Sequence, residues 1–483
     1  MTLSNPEYER GTDDLPLRVA FYLPQFHPTA ENDAWHGSGF TEWTVVARSK
    51  PMYPGHRQPE LPGELGFYDL RVPETREQQV RLARSHGISA FCYYHYWFSG
   101  RRMLERPFNE VLKSGAPDFP FCLTWANESW YRRWQGSADE LVVEQTFDEA
   151  DDIEHIRWLL EAFRDERYLR VKGRPLLGVY RPQDLPDPAR TAEIWREECA
   201  RAGVPAPWLV GFETRGNMVD PAVIGFDAGA EFIPHGLIDL VKPVHPPAGC
   251  DPSNSVYDYT EVANAYLSRP DPTWTRYPCV ASGWDNTPRR RNGEALIMRG
   301  STPEAYGSWL RRAIEHQRRT EGSDGVVFIN AWNEWAEGAH LEPDDHWGRA
   351  YLDATRDVVT DLGGSVPTLQ IDLDDDEGEQ GRTTPEERYQ DLYAKFVQLQ
   401  DRASGYTAIA DRKLGFWRDR FAKELHEQRE QNRTLAEWAL ELEQEVNFLE
   451  ARLAAAGVPD AVDAKDTGDG ASTRMATDEP GIA

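Results

Sequence analysis

Glu334 and Glu337 stand three residues apart in the stretch 328–343, FINAWNEWAEGAHLEP, with Trp332, Asn333 and Trp335 beside them. If the chain turns helically there, residues three apart share a face, with Cβ atoms about 5–6 Å from each other. Two carboxylates so placed suit work on a single glycosidic bond, one kept protonated and the other ionised. Trp332 and Trp335 would exclude water and offer a flat apolar face for a pyranose ring. Two other readings stay open on the residues alone. The carboxylates could cap loop amides, or they could ligate a metal. For a metal only His340 and His346 are near, at no recognised ligand spacing, so none is expected.

Such a pair needs rigid elements to aim it. Eight short apolar runs recur, at 17–26, 88–98, 119–130, 174–182, 206–214, 226–234, 277–286 and 325–335. Near-continuous apolarity without alternation is how strands covered on both faces read. Helix-compatible stretches separate several of them. ETREQQVRLARSHG precedes the second run, with Gly87 placed as a helix terminator. DDIEHIRWLLEAFRDERYL precedes the fourth, PARTAEIWREECARAG the fifth and TPEAYGSWLRRAIEHQRRT the eighth. The connection from the fifth to the sixth is short, so its helix is brief. Residues 17–365 therefore predict an α/β fold, a (β/α)8 TIM barrel with enlarged loops. A doubly wound open sheet is the alternative, and the G-x-G-x-x-G turn it would usually display is absent. Polar residues gather at the C-terminal ends of the runs: Gln25 and His27, His95, Asn127 and Glu128, then Glu213, Glu231 and Asp285. In a barrel that end carries the catalytic face.

The 483-residue chain has a formal net charge of −28, a field that repels nucleic acid and anionic membranes and argues against both as partners. No apolar stretch approaches bilayer-spanning length. The opening MTLSNPEYERGTDD is polar and acidic, unlike a signal peptide. Cys92, Cys122, Cys199, Cys250 and Cys279 are scattered, with no CxxC pair or zinc spacing, which fits free thiols in a reducing cytoplasm. Outside the barrel, 1–16 reads as a flexible N-terminus, 366–384 as an acidic linker, 385–456 as a helical segment and 457–483 as a disordered tail. Leu425, Asn432, Ala439, Val446 and Leu453 fall at one heptad position, with Leu414, Phe421, Gln428, Leu435, Leu442 and Leu449 at another. That pattern predicts a coiled coil over about 414–453, or else one amphipathic helix packed on the barrel. A coiled coil would assemble a homo-oligomer or a larger complex.

Four motifs in order, AFYLPQFHP…WHGSGFTEWTVV, GISAFCYYHYWFSG, LTWANESW and NAWNEWAEGAHLEPD, make residues 17 to 360 resemble the WbsX-like family of bacterial polysaccharide-locus proteins. That family is itself similar to glycoside hydrolase family 99. The resemblance implies a (β/α)8 barrel, in agreement with the strand count, and a retaining α-mannosidase or α-mannanase chemistry without cofactor. In the family-99 route one carboxylate deprotonates the sugar 2-hydroxyl, which attacks C1 to give a 1,2-anhydro sugar. The other protonates the leaving group and later activates water. By correspondence Glu334 would be the base and Glu337 the general acid/base. Ala336 stands where the family-99 motif has histidine, which removes a polar contact and leaves the substrate open. Mannose- or rhamnose-type sugars of a surface polysaccharide such as O-antigen suit this route, because it needs a 2-hydroxyl trans to the leaving group. Genomic labels for WbsX-like proteins often read glycosyltransferase, so transfer is a second reading. A barrel that binds glycan without catalysis is a third.

Further candidates follow from position. Thr41, Glu42 and Trp43 fall in the long loop after the first strand and would line a sugar cleft or anchor that loop. Tyr94, His95 and Trp97 end the second run, and Trp125, Asn127 and Glu128 end the third, with Glu128 as a reserve carboxylate. Glu231, Trp284 and Asp285 read as structural.

Overall fold

All eight apolar runs contain strands whose residues are largely enclosed, and the eight pairings between neighbours are all parallel. The computed structural model describes residues 14–132, 140–214, 219–235, 240–290 and 293–367. The chain divides into two compact units, Met1–Gln370 and Ile371–Ala483. The expected linker from 368 onward, the helical segment, the coiled coil over 414–453 and the tail lie outside the described residues, as do residues 1–13.

The strands are β1 (Leu17–Tyr22), β2 (Ala90–Phe98), β3 (Phe121–Trp125), β4 (Arg174–Val179), β5 (Trp208–Glu213), β6 (Ala228–Glu231), β7 and β8 (Val326–Asn330). β7 is in two pieces, Arg276–Tyr277 and Cys279–Ala281, on either side of Pro278. Proline has no N–H to give a ladder, so the break falls there. The first piece pairs with β6 and the second with β8, while β8 pairs with β1 (Leu17 opposite Val326). The result is a mostly parallel, near-closed barrel of TIM type. Nine helices accompany it among the described residues: α1 (Ala30–His36), α2 (Glu42–Arg48), α3 (Pro73–Ser85), α4 (Arg106–Ser114), α5 (Glu149–Phe163), α6 (Pro188–Arg201), α7 (Tyr259–Leu267), α8 (Pro303–Thr320) and α9 (Ala350–Asp361). Among its described residues, the brief fifth-to-sixth connection holds a 3₁₀ turn, Pro221–Ile224.

Local sequence accounts for the long helices. Asp148, Asp187 and Thr302 accept hydrogen bonds from the backbone N–H groups of Asp151, Arg190 and Ala305, which caps α5, α6 and α8. Pro188 and Pro303 stand in the first turn, where no N–H is missed. Gly87 takes φ +81° just past α3, as the termination pattern predicts. No helix of the described residues is long and apolar enough to cross a membrane. Four of the five free cysteines are buried, and Cys250 is half-buried.

Aromatic rings fill the lumen. Phe21 of β1 meets Phe212 of β5 at 5.3 Å, Phe328 of β8 at 5.4 Å and Tyr94 of β2 at 5.6 Å. Strands 1 and 5 lie on opposite sides of the ring, so their side chains touch only across the interior. Gly178 on β4 makes room for this packing, since a Cβ there would lie 2.7 Å from the Phe212 ring. Burying each such ring contributes about 1.5–3 kcal/mol. This hydrophobic plug is the floor beneath the C-terminal mouth.

Candidate active site

The segment after β8 builds the site. Asn333–Glu334 pairs antiparallel with Ala339–His340, and Trp335–Glu337 between them forms a 3₁₀ turn. With three residues per turn, side chains at i and i+3 eclipse, so Glu334 and Glu337 face the same way. Gly338 closes the turn at φ +60°. A Cβ on Gly338 would lie 3.0 Å from the Asp285 backbone nitrogen, which shows how closely this turn rests on the segment after β7.

Both carboxylates meet one guanidinium. Arg289 donates from one terminal nitrogen to Glu337 at 2.7 Å and from the other to Glu334 at 3.0 Å. The second nitrogen also donates to Glu42 at 2.6 Å, and Nε reaches the same Glu42 oxygen at 3.1 Å. Arg289 lies in the connection between Trp284–Asp285 and the antiparallel strand Leu296–Arg299. Backbone bonds from Arg289 to Asn286 and from Arg290 to Thr287 fold that connection into consecutive turns. Glu42 is the first residue of α2, whose Thr41 and Thr44 form a capping box, so 41–43 is a helix start and not open loop.

Charge crowding perturbs these groups. Burial, the neighbouring Glu337 and Glu42 push Glu334 up to about 8, with Arg289 opposing. Burial raises Glu337 as well, again against Arg289, while Glu42 and Glu128 push it further upward. A carboxyl that holds its proton at neutral pH beside another of lower affinity is the arrangement acid–base chemistry uses. The tyrosines of β2 overlook the pair. Burial raises Tyr94 and Tyr96 well above the ordinary phenol value, and the Glu334 charge adds to both.

The other sequence candidates divide by which way their strand turns them. On β2 the even positions Tyr94 and Tyr96 face the lumen and the odd ones face out, as strand alternation requires. His95 therefore lies under α5, 3.0 Å from His155 and stacked on Trp158 at 4.8 Å. Trp97 donates to Asp151 at 2.8 Å. Trp125 of β3 also faces out, packed on Trp195 and His155. These three do not line the mouth. Asn127 is buried and spans to Arg181, donating to its carbonyl and accepting from its N–H, both at 2.8 Å. Asn333 is likewise enclosed. It accepts from Leu23 N–H at 2.7 Å and donates to Leu23 C=O at 3.0 Å, which ties the end of β8 to the end of β1.

The indoles of the motif are structural in this arrangement. Trp332 is fully enclosed against Phe91. Trp335 stacks on His340 at 3.8 Å and donates to Glu342 at 2.7 Å. Trp43 packs on Phe26 and Trp335 and donates to the Tyr68 carbonyl. His27 is buried, and burial lowers its pKa. Gln25 is half-buried, its carbonyl accepting from Glu42 N–H at 3.1 Å. Ala336 is also fully buried, so its methyl adds no surface to the mouth. Glu128 remains partly exposed and pairs with Arg181 at 2.5 Å. Glu213 and Glu231 share Arg269 at 2.7 and 2.9 Å, and Asp285 is held by His56, Gln58 and Thr287 N–H. The sequence reading of the site did not include Arg289. Its one visible signal is the run Arg289-Arg290-Arg291, soon after Trp284–Asp285, in a strongly acidic chain.

A family model described as Glycosyltransferase WbsX matches residues 18–355. Over 351 residues the chain is 46% identical to the uncharacterized protein WxcX of Xanthomonas campestris pv. campestris strain B100, covering 71% of this chain and 49% of that protein. The WxcX protein of strain ATCC 33913 gives the same identity and coverage. The chain thus spans about half the length of the curated relatives it matches. Among solved structures, a glycoside hydrolase-like protein aligns with TM-score 0.47 and 13% identity, over 74% of this chain and 97% of that one. The GH99 endo-alpha-mannosidase from Bacteroides thetaiotaomicron aligns with TM-score 0.43 and 16% identity, over 73% and 98%.

Proposed function

The chain belongs to the WbsX glycosyltransferase family, and on that premise we propose a carbohydrate-active enzyme in which Glu334 and Glu337 are the catalytic carboxylates. The observation that carries this reading is the convergence of both on Arg289 at the C-terminal mouth of the barrel. The mouth is where barrels of this type do chemistry, and the pair offers one carboxyl to give a proton and one to take one.

The substrate is an α-linked mannose- or rhamnose-type glycan of a bacterial surface polysaccharide. In the first step one glutamate takes the 2-hydroxyl proton, O2 bonds to C1, and the C1–O bond to the leaving group breaks. The other glutamate protonates the departing oxygen. Water then attacks C1 and gives a proton to that second glutamate, while the C1–O2 bond breaks and the first glutamate returns its proton to O2; the configuration is retained. The C-terminal 385–456 segment assembles a homo-oligomer or a polysaccharide-synthesis complex.

The test is incubation with α-mannan and with purified O-polysaccharide, following released sugars. Glu334→Gln and Glu337→Gln should each lower release by a factor on the order of 10²–10⁴, the usual share of one acid–base group. Equal release from wild type and both variants overturns the assignment. The family description favours a second reading, transfer. Turnover that appears only with an added nucleotide sugar would establish it, and glycan binding without turnover under either condition would mark a binding barrel.

A further inference from the structure

Arg289 is more than a neutralising contact. It has five N–H donors and spends them unequally. Nε and one terminal nitrogen both point at Glu42, the latter at 2.6 Å, while Glu334 takes the remainder of that same nitrogen at 3.0 Å. Among the described residues Glu337 takes the other terminal nitrogen, at 2.7 Å. The Glu42 side chain is 3% exposed, Glu334 6% and Glu337 19%. Glu334 is therefore both deep and poorly served, whereas Glu337 is shallower and well served.

We infer that Glu42, acting through Arg289, is a positioning residue that sets the protonation of the glutamate pair. This deepens the functional reading above and rests on it for its catalytic meaning. With all three carboxylates ionised, one guanidinium would leave two uncompensated negative charges in an enclosed site, an unfavourable state. Because Glu42 ties up the guanidinium, the proton that relieves this crowding stays on Glu334. Glu337 keeps its full hydrogen bond and ionises first. Among the described residues, the remaining charged or titratable groups facing the pair are Tyr94 and Tyr96 from β2, Glu128 after β3 and Tyr180 after β4. None is a cation, so Arg289 has no substitute among them. Sequence resemblance makes Glu334 the base. In the resting site it holds the shared proton, so substrate entry must shift that proton before Glu334 can act.

The readout is independent of any glycan. Full-length protein labelled with ¹³C at glutamate side chains is titrated by NMR, with Glu334→Gln and Glu337→Gln serving to assign the two carboxyl signals. In wild type Glu337 should titrate below Glu334. Glu42→Gln should lower the Glu334 midpoint by on the order of one pH unit or more, because a like charge is removed and a guanidinium N–H is released. Arg289→Met should raise both midpoints. Arg289→Lys should restore Glu337 more than Glu334, since one ammonium cannot serve three carboxylates in fork geometry. Unchanged midpoints in folded Glu42→Gln, or Glu334 titrating first in wild type, would overturn the inference. Shifts as expected in a protein that releases no sugar would leave it standing and sink the hydrolase reading instead.

Discussion

Replacing Glu334 with glutamine measures what the site costs the fold. Its carboxyl titrates near 8 in the folded chain against an ordinary value of 4.5. Because the folded value is raised, the stabilisation from the bound proton is complete below 4.5 and drains away as pH climbs toward 8. One unit corresponds to about 1.4 kcal/mol. Between pH 5 and 7 only the unfolded chain has released most of its proton, so about 2–3 kcal/mol of stability should vanish over that window. The side chain is 6% exposed, so solvent screening removes little of this. Glutamine carries no charge at either pH, and the loss of one charge-assisted bond to Arg289 offsets about 1–2 kcal/mol. Urea unfolding at pH 5, 6 and 7, followed by tryptophan fluorescence and far-UV circular dichroism, gives the comparison. Glu342 and Glu231, both raised to about 7 chiefly by burial, drift equally in both proteins and cancel. The variant should lose about 2–3 kcal/mol less than wild type from pH 5 to 7. Parallel curves would refute the reasoning.

Two further outcomes follow from the strap between β8 and β1 and from the turn that carries Glu337. Asn333→Leu removes both side-chain bonds to the Leu23 backbone and leaves a buried N–H and C=O unpaired, so stability should fall by about 2–4 kcal/mol in the same unfolding assay. Gly338→Ala puts a methyl 3.0 Å from Asp285 N at a positive φ and should cost about 1–2 kcal/mol. It should also lower sugar release, because the turn must move to make room; a variant as stable and active as wild type would mean that the turn is slack.

The barrel was legible because each strand is buried on both faces and because α5, α6 and α8 carry side-chain caps and α3 ends at Gly87. The same double burial hid which face was which. In AFCYYHYWF every residue is apolar, aromatic or histidine, so nothing in the run tells that Tyr94 and Tyr96 look inward and His95 and Trp97 outward. The tryptophans misled for a related reason: an indole satisfies a core as readily as a sugar ring, and Trp332 and Trp335 are used by the core. Glu334 and Glu337 could be read from spacing alone, since both sit on one short turn. Arg289 could not, because a loop residue about 45 positions upstream joins them only through the fold. Thr41 as a cap was readable, with Thr44 three residues on, yet an isolated seven-residue helix leaves little periodic signal.

The two-piece β7 has a mechanical meaning. A barrel is a hoop, and this hoop is spliced at Pro278, held by two paired positions toward β6 and three toward β8, where β2 and β3 share five. Local opening requires least free energy where fewest ladder bonds are broken, so the splice is the stave that parts first. It stands directly upstream of Trp284–Asp285 and the loop bearing Arg289. A loosening that begins there displaces the guanidinium from glutamates that remain fixed to β8, while the rest of the wall stays shut.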